Sequence, residues 1–172
     1  MEEVIRIPDD RIGVLIGPNG EVKRRIIKET KTSVIIDSAS GEVVVEGEGE
    51  GYFKATDIVK AIGRGFSPQR AFTLLKKDFL LKIIHIPDFV GGNASAQKAK
   101  RGRIIGKEGL ARKEIEKKTN SQISVFGKTV AIIANIQDIE NAEEAVELLL
   151  KGSTHETLEH FLENKDKKRF EL

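Results

Sequence analysis

Alternation of apolar and polar positions marks two strands early in the chain's two halves, Val4-Ile5-Arg6-Ile7 and Leu81-Lys82-Ile83-Ile84-His85-Ile86. Each is followed by a proline, Pro8 or Pro87, which lacks a backbone donor and closes the strand. A short apolar stretch then predicts one or two helical turns, stopped by glycine at Gly17 and at Gly106. Beyond Gly20 the apolar residues Val22, Ile26 and Ile27 recur at helical spacing, as do Ala111 and Ile115 beyond Gly109, with basic residues on the other side. Both stretches read as amphipathic helices with a cationic outer face. Ser33 to Ile36 with Glu42 to Val45, and Gln122 to Phe126 with Thr129 to Ile133, read as β-hairpins. The second turns at Gly127-Lys128 and the first through a looser Ser38-Ala39-Ser40-Gly41 loop. Closing helices are predicted through Ala55-Ile58-Val59-Ile62 and Ala142-Ala145-Val146-Leu149.

The two halves are copies. Residues 12–20 lie over 101–109 at an offset of 89, which continues through Ile26/Ile115, Lys28/Lys117, Thr30/Thr119 and Val34/Ile123. After a two-residue gap Val43/Val130, Ala55/Ala142 and Val59/Val146 match at 87. Upstream, Ile5-Arg6-Ile7-Pro8 matches Ile84-His85-Ile86-Pro87 at 79, so the second copy carries a ten-residue insertion from Gly91 to Lys100. The reading is two α+β modules, residues 1–65 and 80–152, each strand, helix, turn, helix, strand, strand, helix. Residues 66–79, with Ser67 as N-cap and Pro68 in the first turn, are expected as a linker helix, and 153–172 as a short C-terminal helical tail.

Composition narrows the function classes. The 172 residues carry 29 Lys and Arg against 27 Asp and Glu, with no Cys, which removes disulfide frameworks, thiol catalysis and Cys-ligated zinc. Apolar runs of four or five residues are far short of the roughly 20 a membrane span needs. The acidic Met1-Glu2-Glu3 start is unlike a secretory signal, so a cytoplasmic protein is expected. The Lys/Glu-rich, Met-poor composition suggests a thermophilic source. The near-neutral total hides opposed segments. Residues 98–118 hold nine Lys and Arg against Glu108, Glu114 and Glu116, whereas residues 37–57 hold six acidic residues against Lys54. Such asymmetry points to a polyanion-facing surface on the second copy.

Enzyme-like patterns fail on geometry. His155 and His160 are five residues apart, about 140° around a helix, and cannot share a zinc as an i, i+4 pair would. Gly102-Arg-Ile-Ile-Gly106-Lys107-Glu108 is one residue short of a nucleotide-binding loop and has Glu where a magnesium-holding hydroxyl belongs. Gly47-Glu-Gly-Glu-Gly51 is acidic, the wrong sign for phosphate. No catalytic residue, metal ligand or cofactor is expected.

The paired Gly-x-x-Gly turns, each preceded by Ile and set in the same frame, resemble those of tandem KH proteins of the eukaryotic type (type I). KH modules clamp about four nucleotides of single-stranded nucleic acid along this loop. By that resemblance the bases would lie in an aliphatic groove between the two helices and the middle strand. Consistent with this, the nine aromatic residues all lie away from the turns. Gly106-Lys107-Glu108-Gly109 offers a lysine and backbone amides, with Arg103, Ile105, Arg112 and Lys113 around it and Lys98, Lys100 and Arg101 upstream. Gly17-Pro18-Asn19-Gly20 has no lysine, Pro18 has no N–H, and Glu46, Glu48 and Glu50 line its hairpin exit. RNA binding is therefore assigned mainly to the second copy. The first is left packing, orientation or protein contact, with secondary help from Lys23, Arg24 and Arg25.

A closer resemblance covers almost the whole chain. Gly63 to Pro68 with Ala71 to Leu75, Arg101 to Gly109, Ile123 to Val130, and Gly152-Ser153 before a short helix are similar to the Dim/Pno and Krr family, in its compact archaeal form. In eukaryotic relatives the first loop is commonly degenerate, whereas here a G-x-x-G persists. The resemblance implies a double-KH factor of small-ribosomal-subunit assembly that binds the 3′ end of small-subunit rRNA beside an rRNA methyltransferase and a 3′-end processing nuclease. The alternatives are an adaptor docking translation initiation or assembly factors, and a general single-strand binder in mRNA turnover.

Overall fold

Strand β1 (Glu2–Arg6) leads through Pro8 into helix α1 (Asp9–Ile16), then a 3-10 turn (Pro18–Gly20) and α2 (Glu21–Thr30). The hairpin β2 (Ser33–Asp37) and β3 (Glu42–Glu46) and helix α3 (Gly49–Gly63) complete the first copy. The second repeats the order: β4 (Phe79–His85), the single turn α5 (Pro87–Val90), α6 (Ala94–Ile105), a 3-10 turn (Lys107–Gly109), α7 (Leu110–Thr119), β5 (Ser121–Phe126), β6 (Thr129–Asn135) and α8 (Ile139–Leu150), taking α4 as the four-residue helix Pro68–Ala71 between the copies. Helix α9 (His155–Glu171) follows. The computed structural model describes residues 1–171, apart from the side chains of 169 and 171; Leu172, the last residue of the expected tail, lies outside the described residues.

The chain divides into two units, Met1–Phe79 and a second beginning at Leu80. Each contains a three-stranded antiparallel sheet with the third strand in the middle, β1-β3-β2 and β4-β6-β5. In the first, Ile5 stands opposite Val43 and Val34 opposite Val45, so the two strands flanking β3 send alternate side chains to one face. In the second, Ile123 stands opposite Ile132. Helices α2 and α3, or α7 and α8, pack behind, burying Ile26, Ile58 and Ile62 in one unit and Ile115, Val146 and Leu149 in the other. Each such side chain contributes about 1.5–3 kcal/mol.

The match of Thr30 with Thr119 has a structural cause. Each threonine ends its helix, donates its hydroxyl back to the carbonyl four residues earlier at 2.6 Å, and shares a 2.7 Å bond with the hydroxyl two residues on, Thr32 or Ser121. Each helix is followed by a left-handed residue, Lys31 or Asn120, that turns the chain into the strand.

Three expectations change. The helix before the second loop has twelve residues instead of one or two turns. The insertion supplies its start: the Asn93 side chain accepts from the Ala96 amide at 3.0 Å, and buried Gln97 donates to Gly91 O at 2.8 Å. The stretch 66–79 is helical only in part, as α4 and one 3-10 turn (Phe72–Leu75). Ser67 does cap it, accepting from the Arg70 amide. Its Phe66, Phe72 and Leu74 are buried in the first unit. Arg11 holds the segment by donating to Ile62 O at 2.8 Å and Phe66 O at 2.7 Å, and the Arg25 guanidinium lies 4.0 Å over the Phe72 ring. Finally, the tail is a 17-residue helix whose Leu158 and Leu162 belong to the second unit's core.

Candidate nucleic-acid interface

The two Gly-x-x-Gly turns have nearly the same backbone. Gly17 and Gly106 stand at φ 74° and 72° with ψ near 180°, Asn19 and Glu108 at φ 53° and 56°, and Gly20 and Gly109 at φ 74° and 75°. The first glycine is required twice over. Its φ is left-handed, and a Cβ on Gly17 would stand 2.9 Å from the Val22 amide nitrogen, as one on Gly106 would stand 2.8 Å from that of Ala111. The last glycine is required by torsion alone, since nothing lies within 4 Å of a Cβ at Gly109.

The amides of these turns are fewer than the sequence implied. Gly106 N donates to Gly102 O at 2.8 Å, Gly109 N to Gly106 O at 3.3 Å, and Leu110 N to Lys107 O. At most the Lys107 and Glu108 amides remain for a phosphate. In the first turn Gly17 N and Gly20 N are committed in the same way and Pro18 has no N–H, so at most Asn19 remains. Lys107 and Glu108 are exposed, as are Pro18 and Asn19.

The predicted cations do not form one surface. At about 100° per residue, Lys98, Arg101 and Ile105 share one face of α6, while Lys100 and Arg103 share another. The first face meets the hairpin: Arg101 donates to Gly127 O at 3.1 Å. Ile105 is half-buried there, whereas Ile104, Ile115 and Ile123 are core. The second face meets the junction of α8 and α9. The Arg103 guanidinium donates to Ser153 O, the His155 ring contacts Arg103 O at 3.2 Å, and the Lys100 ammonium lies beside Gly152. Arg112 is also engaged, with Glu116 and the Ile123 carbonyl. Among the described residues Lys98, Lys107 and Lys113 have no ion-pair or hydrogen-bond partner. In the first unit Arg24 leans back over Gly20 and Lys23 is half-buried.

Two features escaped sequence reasoning. Glu116 accepts from the Ile123 amide at 2.9 Å while its other oxygen pairs with Arg112 at 2.7 Å, so the pair straps α7 to the outer edge of β5. The i, i+4 spacing of Arg112 and Glu116 was visible as a helix pair, but its target on the strand was not. Secondly, α9 reaches the second Gly-x-x-Gly turn: a cleft of about 340 Å³ is bounded by Gly106, Lys107, Leu110, Glu114, His155 and Glu159 among others. Among the described residues no acidic, His or Cys cluster could hold a metal, and no helix is long and apolar enough to cross a membrane.

Comparison with known proteins agrees with this geometry. Residues 80–167 match a eukaryotic-type (type I) KH-domain model for the second such domain of Pno1, and residues 2–61 match the general KH-domain model. A KH domain-containing protein of Methanocaldococcus jannaschii is 43% identical over 99% of this chain and 78% of its own length. The pre-rRNA-processing protein pno1 of Aspergillus fumigatus is 33% identical over 58% of this chain, which spans only 40% of that protein. A chain in the crystal structure of an a/eIF2α–aDim2p–rRNA complex from Pyrococcus horikoshii superposes with a TM-score of 0.90 at 46% identity, covering 98% of this chain and 95% of that one. With both modules matched, in order and over nearly their full length, the chain belongs to the tandem-KH Dim2/Pno1 family in its archaeal form.

Proposed function

We propose that the chain is a non-catalytic RNA-binding protein of small-ribosomal-subunit assembly. It holds a single-stranded segment in the 3′ region of small-subunit rRNA, mainly on its second KH unit. The observation that carries the reading is the second turn, where an unpartnered Lys107 stands with the amides of Lys107 and Glu108 at an exposed loop of fixed shape. A phosphate there meets two N–H donors and a cation, whereas the turn at Pro18 offers neither a lysine nor a second amide. Lys98, Lys113 and Ile105 continue the path, and Arg101, Arg103 and Arg112 shape it through the bonds they make within the unit. The first unit, with Gly17, Pro18, Asn19 and Gly20, serves orientation and protein contact.

The rRNA in the Pyrococcus complex supports the polymer class, and the name of the fungal relative supports the stage, pre-rRNA processing. The partners in this reading are the pre-ribosomal small subunit, an rRNA methyltransferase and a 3′-end nuclease, met in the cytoplasm. Contact with a translation initiation factor is favoured by one observation, the presence of a/eIF2α in that same complex.

The test is the affinity of the wild type and of a Lys107→Asp/Glu108→Asp variant for a 3′-terminal small-subunit rRNA fragment and for a scrambled one at physiological salt. Selective wild-type binding that the variant loses supports the reading. Equal, weak binding by both proteins overturns it in favour of protein docking.

A further inference from the structure

We propose that Glu116 is a built-in competitor for RNA on the second unit: its carboxylate occupies the Ile123 amide and must be displaced before a base can hydrogen-bond there. The inference deepens the reading above and rests on it.

Strand β5 is the edge of its sheet, so the outward backbone groups along it have no neighbouring strand. Such an edge is a ready template for an incoming hydrogen-bonding partner. Ile123 buries its side chain in the core, leaving its backbone as the group it can offer outward. Both halves of that backbone are occupied by one helix. Glu116 accepts from the N–H at 2.9 Å and Arg112 approaches the carbonyl at 3.4 Å. An acceptor beside a donor is also the pattern that a base edge presents, so the side-chain pair and a base compete for the same two groups.

The pair is not an incidental surface contact. The Glu116 and Arg112 side chains are 15% and 25% exposed, and their 2.7 Å ion pair shields them further. A charge-assisted bond from carboxylate to amide is stronger than a neutral one. The first unit lacks the device: the residues at the same offset are Lys23, Ile27 and Val34, and Ile27 has nothing with which to accept. Displacement also has a second effect. Once Glu116 swings out, Arg112 loses its counter-charge next to an arriving polyanion and becomes available to it.

Competition at Ile123 shifts RNA affinity in opposite directions when Glu116 or Arg112 is removed, which a purely structural strap does not. In anisotropy titrations of the intact chain with the 3′-terminal rRNA fragment, Glu116→Ala is expected to bind about tenfold tighter than wild type. Arg112→Ala, which keeps the competing carboxylate and removes the cation, is expected to bind severalfold weaker. Glu116→Gln retains an acceptor for Ile123 but no charge, and should fall between wild type and Glu116→Ala. It decides the matter if the alanine variant melts too low to assay. Unchanged or weakened binding by the Glu116 variants, with a loss of thermal stability, overturns the inference and leaves the pair a structural clamp. If wild type binds no better than the Lys107→Asp/Glu108→Asp variant, the RNA does not use this unit and the inference falls with the functional reading. If that variant loses binding while Glu116→Ala equals wild type, only the inference falls.

Discussion

Gly17-Pro18-Asn19-Gly20 and Gly106-Lys107-Glu108-Gly109 have torsions within about 10° of each other at their glycines and third residues, yet they present different chemistry. Shape comes from the glycines, because the first has no room for a Cβ and the last stands at positive φ. The chemistry comes from the two residues between, which set how many N–H groups and charges face outward. Asn19 suits its left-handed position better than Glu108 does, since a short polar side chain tolerates αL where a longer one is disfavoured. The turn better formed by local propensity is thus the one with fewer N–H groups and no lysine. Repetition of a fold within one chain does not repeat the chemistry of its turns.

The largest expected effect tests the shared shape. Gly106→Ala combines a torsion reserved for glycine with a 2.8 Å approach to the Ala111 nitrogen, and should destabilise the second unit by about 3 kcal/mol in denaturant unfolding. Gly109→Ala meets no atom and should cost only about 1 kcal/mol. Equal losses would mean that torsion alone sets the turn. Next, Lys107→Asp with Glu108→Asp should lower RNA affinity by about 2 kcal/mol while the melting temperature holds, and Lys107→Ala should reduce the salt slope by about one.

A third experiment contrasts the units' closing helices. Burial raises the Asp57 carboxyl to about 6, against the attraction of Lys60. Folding therefore favours its neutral form, so this contribution is complete below pH about 4 and is lost as pH rises through about 6. Asp57→Asn should raise stability at pH 7 by about 1 kcal/mol after screening, and leave it unchanged at pH 4. Glu144, at the same offset in α8, pairs with Lys165 at 3.7 Å instead. The smallest effect is a gain: Pro18→Lys adds one amide and one cation to the first turn, and should improve RNA affinity about threefold by titration.

The element order was legible because the chain states it twice. Each copy confirms periodicities that would be ambiguous alone, and both turns carry glycine where torsion demands it. The length of α6 was not, since residues 91–100 looked like an insertion relative to the first copy. Only the Asn93 cap and buried Gln97 reveal that this stretch starts the helix. The candidate site was legible at Lys107, whose position in the motif decides its exposure. It was not legible for the arginines: Arg101 and Arg103 find carbonyls 26 and 50 residues away. A positive charge in sequence says nothing of whether a backbone oxygen already holds it. Glu116 was hidden for the complementary reason, being one acid within a basic run whose partner amide lies on a neighbouring strand.

The core of the second unit includes Leu158 and Leu162, and the Arg103 guanidinium is fixed by Ser153 O. During synthesis the Gly106–Gly109 turn therefore emerges well before the residues that support it, Leu162 following Gly109 by 53 positions. Domains fold as units during elongation at about 5–20 residues per second. The first unit can close while the second is still open, and the second turn spends several seconds outside the ribosome without its support. A nascent chain so ordered completes its first unit before the second turn has gained its support.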